Sequence, residues 1–192
     1  MMDAKLTQYA GWSAFASAFF TILGLATLIM FFSRGNPWGT LNDISSVALA
    51  LSVLPILLML YHLLHPVART AGLAALVIGV LAMLIAAVFQ TLLIFKVIAF
   101  VQTAVIVPVA FGLFGASLMV YGYLALAYGM LPHRLAVLGI IAGVGYIVVI
   151  AGFILGGQEH PLVAIGGLTA VIFYPIWAIW FGQMLLAGRL AT

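Results

Sequence analysis

The chain predicts an all-α fold, a polytopic transmembrane bundle of six helices with the N-terminus and the C-terminus both cytoplasmic. Composition, the length of the apolar runs and the position of the charges all point that way. Of 192 residues, 67% are hydrophobic and 5% are charged. Six apolar runs reach the ~20 residues that span a hydrocarbon core of ~30 Å, and nearly all the charged residues lie in the gaps and tails between them. In lipid every backbone N–H and C=O must be satisfied within the structure, so such runs are helical unless they close into a β-barrel. Barrel strands alternate polar and apolar residues over about 10 positions, and these runs do not.

The first run covers 11–32. Lys5 precedes it as in a secretory signal, but the run is too long for that role and no small-x-small cleavage pattern follows before Arg34. Trp12 and Trp38 stand near opposite ends of this run and its loop, where aromatic side chains anchor at the bilayer interface. Ser13, Ser17 and Thr21, followed by Gly24, recur at helical spacing and predict a close helix contact. Gly35, Asn36, Pro37 and Gly39 predict a turn, after which Asn42 or Asp43 caps a second helix over 44–64. Thr70 caps a third over 70–95, and a fourth covers 101–130. Pro132 and Pro161 open the fifth and sixth, over 134–156 and 161–187, at positions where a missing N–H costs little. On the fifth, Gly139-x-x-x-Gly143 and Gly152-x-x-x-Gly156 predict close packing within the bundle or between subunits. The connections are short, so consecutive helices are antiparallel neighbours. Residues 1–192 read as one transmembrane domain without a soluble appendage.

Orientation follows from the six cations. Lys5, Arg69, Arg134 and Arg189 fall in the tails and even-numbered loops, whereas Arg34 and Lys96 share the other side with Asp43 and Glu159. Lysine and arginine are retained on the cytoplasmic side, which places both termini there. The expected location is the cytoplasmic (inner) membrane of a bacterium or archaeon. The basic excess reflects the same retention signal and does not call for a nucleic-acid partner. With no cysteine in the chain, disulfides, thiolate metal sites and cysteine nucleophiles are excluded.

The chain also carries an internal echo. Tyr61, Pro66, Arg69, Gly72 and Gly79 around the second and third runs match Tyr128, Pro132, Arg134, Gly139 and Gly145 around the fourth and fifth, with slippage of one residue or so. Both copies form hairpins turning on the cytoplasmic side, so the repeat is parallel, unlike the inverted halves of many transporters. The stretch Leu131-Pro132-His133-Arg134-Leu135-Ala136-Val137-Leu138-Gly139, followed by Gly143, is one of two motifs in the last third of the chain. The other is Tyr174-Pro175-Ile176-Trp177-Ala178-Ile179-Trp180-Phe181-Gly182. Over that third the chain resembles bacterial six-helix integral membrane families of unknown function. The resemblance implies an architecture and no reaction.

Functional residues are sought where polar groups enter the membrane, since each is costly there unless paired. No Asp or Glu lies within a predicted span, because Asp3, Asp43 and Glu159 are all in tails or loops. Proton pumping and proton antiport are therefore disfavoured. Lys96, at an outer turn, reads as a solvated loop charge and is poorly placed for a Schiff base. His62 and His65 end the second run and His133 begins the fifth, so the three imidazoles share the cytoplasmic face. Such a set could hold zinc or haem, although only Asp3 is near enough to assist as a carboxylate. Ordinary helix-end histidines are the competing reading.

Prolines give a different pattern. Pro55, Pro108 and Pro175 lie inside the second, fourth and sixth runs, and the odd runs have no interior proline. Each frees the carbonyl four residues earlier, on Leu51, Ala104 and Val171. Three kinked helices running in one direction can enclose a cavity. Gln90, Thr91, Gln102 and Thr103 cluster toward the outer half, and Tyr121, Tyr174 and Trp177 supply amphipathic aromatics. The ligand-binding set is accordingly Pro55, Gln90, Gln102, Pro108, Tyr121, Tyr174, Pro175 and Trp177.

Three functions are compatible with these features. The first is a non-enzymatic membrane protein that binds or passes a small hydrophobic or amphipathic molecule in an intramembrane cavity, with membrane lipids around it and no cofactor. The second is a structural or accessory subunit, as a homo-oligomer or within a larger membrane complex, motivated by the absence of any catalytic set and by the glycine-rich fifth run. The third is a zinc or haem enzyme using His62, His65 and His133.

Overall fold

The computed structural model describes residues 4–190. Five helices follow one another: α1 (Ala4–Arg34), α2 (Trp38–Ile94), α3 (Phe100–Ala127), α4 (His133–Gly156) and α5 (Pro161–Leu186). All five are long and apolar enough to cross a membrane. The protein is thus a polytopic integral membrane protein, but its helices number five rather than six. The second and third predicted runs form the single 57-residue helix α2, broken at Ala68, whose φ of −145° and ψ of 49° are not helical.

The missing turn has a local cause. The other helices end where a glycine takes a positive φ: Gly35 at 68°, Gly129 at 67°, Gly157 at 76° and Gly188 at 67°. At Gly129 the Met130 N–H reaches back to the Ala125 carbonyl at 3.0 Å, a C-terminal cap that only a left-handed residue allows. No glycine lies between His62 and Thr70, so helical bonding continues past Pro66 and yields only at Ala68. Thr70 is therefore inside α2 rather than capping a new helix. Asn42 and Asp43 are likewise helical, because α2 starts at Trp38 with no side-chain cap.

A straight helix of 57 residues would be about 85 Å long, far beyond a ~30 Å hydrocarbon core. Contacts across Ala68 show how the length is accommodated. A Cβ on Gly72 would lie 3.4 Å from the Tyr61 ring, and one on Gly79 would lie 2.9 Å from Leu57 Cδ1. Residues that far apart along one straight helix cannot touch, so the arms before and after Ala68 lie side by side.

Each helix packs on its sequence neighbours, and α1 closes the ring against α5. The seams are made by small residues that let backbones approach, as membrane helices require. Gly115 of α3 faces Gly143 of α4, Gly145 of α4 faces Gly166 and Ala170 of α5, and Gly11 of α1 faces Gly182 of α5. The stripe on α1 is buried at Ser17 and Thr21 and serves as the expected close contact. Within the ring, Phe114, Tyr146, Tyr174, Trp177 and Phe181 form a column of rings. Trp177 and Phe181 stack at 5.1 Å and 9°, and Tyr174 meets Trp177 at 5.9 Å and Phe114 at 5.7 Å. The Tyr174 hydroxyl donates to Ser17 Oγ at 2.9 Å, and the Tyr121 hydroxyl donates to the Gly72 carbonyl at 2.9 Å. Large apolar side chains such as Phe19, Ile29, Val101, Leu155 and Ile165 face outward, as a lipid-facing surface requires.

Candidate functional site

A cavity of about 540 Å³ opens at one end of the ring. The end of α1, the α1–α2 connection, both ends of α2, the start of α3 and the α4–α5 connection all contribute to its wall. Its apolar lining includes Leu28, Phe31, Phe32, Leu93, Ile94, Phe100, Val107, Pro108 and Phe153. Polar groups come from Asn36, Thr40, Asn42, Asp43, Gln90, Lys96, Thr103 and Gln158. A mainly apolar wall with a few convergent polar groups, in the usual size range of about 300–1,000 Å³, is the form of a small-molecule site.

The polar residues differ in how they are committed. Thr103 is buried and its hydroxyl donates to the Phe100 carbonyl at 2.8 Å. Gln90 is only 7% exposed, and its Oε1 is buried with no hydrogen-bond partner. An unsatisfied buried acceptor costs about 1–3 kcal/mol, so Gln90 is held in place at a cost. Asp43 is partly buried on the first turns of α2 and is the only carboxylate on the wall among the described residues. No hydrogen bond or ion pair engages it among the described residues. Lys96 is exposed and holds a φ of 57°. It takes the left-handed position that glycine fills at the other helix ends, and it does so on the rim of the cavity.

Of the eight residues expected to bind a ligand, the cavity wall gathers Gln90 and Pro108. Gln102 is exposed and caps α3 instead, its Oε1 accepting from the Ala99 N–H at 2.8 Å. Tyr121 is spent on the bond to Gly72, and Tyr174, Pro175 and Trp177 are buried in the packed interior. Pro55, partly buried, is also absent from the wall. The three proline breaks do not share one space, because the aromatic column fills the region around Pro175. Asn42, Asp43, Lys96, Phe31, Phe32, Phe153 and Gln158 were missed as site residues. Each belongs to a helix end or connection, where sequence reads a cap, a solvated charge or an interfacial aromatic.

His62, His65 and His133 are all exposed, and no three metal-ligating side chains gather among the described residues. Asp3, the carboxylate that was to assist them, lies outside the described residues. His65 instead stands edge-on to Tyr61 at 5.4 Å, and the fourth histidine, His160, accepts from the Leu162 N–H at the start of α5. Among the described residues the three histidines thus do not come together as a three-ligand zinc site. Comparison with protein-family models, curated proteins and solved structures finds none that matches this chain.

Proposed function

We propose that this chain is a non-enzymatic integral membrane protein that binds a small amphipathic molecule in the cavity between α1, α2 and α3. The observation that carries the reading is the polar–apolar wall containing an unpartnered buried Gln90. The two arms of α2 make separate crossings in this reading, giving six in all, with both termini on the cytoplasmic face and the cavity opening outward. The two side-by-side arms and the four cations at the end opposite the cavity support that topology. Binding is favoured over passage because buried rings occupy the interior of the bundle. Gly139, Gly143, Gly152 and Gly156 pack on Trp177, Gly115, Val163 and His160 of the same chain, so these glycines do not support the alternative reading as a subunit of a larger complex.

The test is native mass spectrometry of protein extracted from its own membrane. Wild-type protein is expected to retain a small molecule that Ala104→Trp, which fills the cavity from α3, no longer holds. Identical spectra for the two proteins would overturn the reading.

A further inference from the structure

We infer that the occupant of the cavity is a single-chain acidic amphiphile, its anionic headgroup held at the mouth by the Lys96 ammonium and its alkyl chain laid along the rings inside. This rests on the cavity-binding reading above and names the chemistry of the ligand. Lys96 is on the cavity wall, its side chain is exposed, and no carboxylate pairs with it among the described residues. An open, unpaired cation beside an apolar hollow selects an anion joined to an apolar body. Leu28, Phe31, Phe32, Phe100 and Phe153 supply the surface for that body. At about 540 Å³ the cavity has room for one alkyl chain but not for both chains of an intact phospholipid.

The connection between α2 and α3 favours this assignment in two ways. Lys96 holds a φ of 57°, whereas the helix ends at Gly35, Gly129, Gly157 and Gly188 give the left-handed position to glycine. Glycine would take that conformation without strain, so folding alone does not account for a lysine there. Its neighbours Phe95, Val97, Phe100 and Val101 are large, apolar and exposed, which sets the connection at the lipid boundary rather than in open water. An amphiphile in that leaflet meets the mouth with its headgroup level with Lys96 and its chain directed into the bundle. Asp43 is the other charge on the wall, and its sign opposes an anion. It forms no ion pair with Lys96 and so does not neutralise it, and removing its charge should tighten the binding of an acid.

The experiment uses the full chain in phosphatidylcholine nanodiscs at about pH 8, where a carboxylate is ionised and a lysine is still protonated. Apparent affinities for decanoate, decanol and decyltrimethylammonium are read from the rise in unfolding temperature with ligand concentration. Decanoate is expected to bind at least about tenfold more tightly than the other two, the scale of one charge-assisted hydrogen bond. Lys96→Gln is expected to bring decanoate to the level of decanol, Lys96→Arg to keep the preference, and Asp43→Asn to strengthen it. Lys96→Gly puts the residue best suited to a φ of 57° at the same position, so the loss of preference expected there does not come from a damaged fold. Equal binding of decanoate and decanol, a preference that survives Lys96→Gln and Lys96→Gly, or one weakened by Asp43→Asn overturns the acid assignment while leaving the cavity reading in place. Adding phosphatidylglycerol to the disc separates a free acid from a lipid headgroup. An unchanged decanoate response supports the single-chain acid, and its loss gives the site to an anionic phospholipid seated by one chain and overturns the single-chain limit. If none of the three probes binds, the acid assignment falls, and the mass spectra of wild-type and Ala104→Trp protein still decide the cavity reading.

Discussion

Gly166 and Gly167 are adjacent on α5, yet adding one methyl group should move stability in opposite directions at the two positions. A Cβ on Gly166 would lie 2.6 Å from the Gly145 carbonyl oxygen, 2.7 Å from Val149 N and 3.0 Å from Val148 C. All three are backbone atoms of α4, so no rotamer change relieves the overlap. Restoring ordinary contact at 3.4 Å requires the helices to part by roughly 0.8 Å. A gap of about 0.5–1 Å forfeits a quarter to a half of each dispersion contact along the seam, and overpacking of this kind costs about 1–3 kcal/mol. Gly167 has no atom within 4 Å of its added Cβ, so Gly167→Ala gains only the helix preference of alanine, about 0.5–1 kcal/mol. Gly166→Ala enjoys the same gain and should still be net destabilised. Equilibrium unfolding by SDS in bicelles measures both variants against wild type. Two variants shifted in the same direction, or Gly166→Ala the more stable, would refute the α4–α5 seam described above.

The Tyr174–Ser17 bond gives an asymmetric pair. Ser17→Ala strands a buried phenol and should cost about 1–3 kcal/mol, whereas Tyr174→Phe removes the donor and should cost about 0.5–1.5 kcal/mol, with Ser17 still bonded to the Ala14 carbonyl. The same unfolding assay on both single variants and the double variant checks the order. Lys96→Gly should raise stability by about 1 kcal/mol, because glycine adopts a φ of 57° without the Cβ clash that lysine carries. A fall in stability would mean that the Lys96 side chain makes a stabilising contact that outweighs this clash. Since the chain has no native cysteine, single cysteines report topology cleanly. Asn36→Cys and Lys96→Cys should react with an impermeant maleimide from the same face of the membrane, and His65→Cys from the opposite one. Labelling of positions 36 and 96 from opposite faces would show that α2 crosses only once.

The membrane class was legible because composition and run length report directly on the solvent in which a helix sits. Helix starts were legible where proline stood at them, as at Pro132 and Pro161. The break at Ala68 was misread as a full turn because Pro66, Arg69 and Thr70 look like loop residues, although no residue there can leave the helix through a left-handed step. Pairing was harder to read than position. Gln102 and Thr103 are adjacent and equally polar, yet the side chain of one caps its own helix while the other faces the cavity. That outcome depends on the rotation of α3 against α2, which no local pattern encodes. Asp43 was readable as a charge but not as a wall residue, because its placement follows from the α1–α2 connection and from α2 starting at Trp38.

The location of the cavity has a cause in the distribution of glycine. The seams among α3, α4 and α5 bring backbone against backbone at Gly115, Gly143, Gly145, Gly152 and Gly166, which leaves no volume for a ligand. From 80 to 111 the chain contains no glycine, and this stretch supplies the end of α2 and the start of α3. There the facing side chains are Gln90, Leu93, Ile94, Thr103 and Val107, with Pro108 interrupting the α3 ladder. Bulky and branched residues hold the two backbones apart, and on α1 the last glycine, Gly24, meets Asn42 and Ser45 only at 3.8 Å. Beyond it Leu28, Phe31 and Phe32 widen the gap further. A bundle zipped by glycine over one half and propped open by large side chains over the other will keep its rigid seam when a ligand binds. The part of the protein expected to move is the propped half, where the two ends of α2 meet α1 and α3.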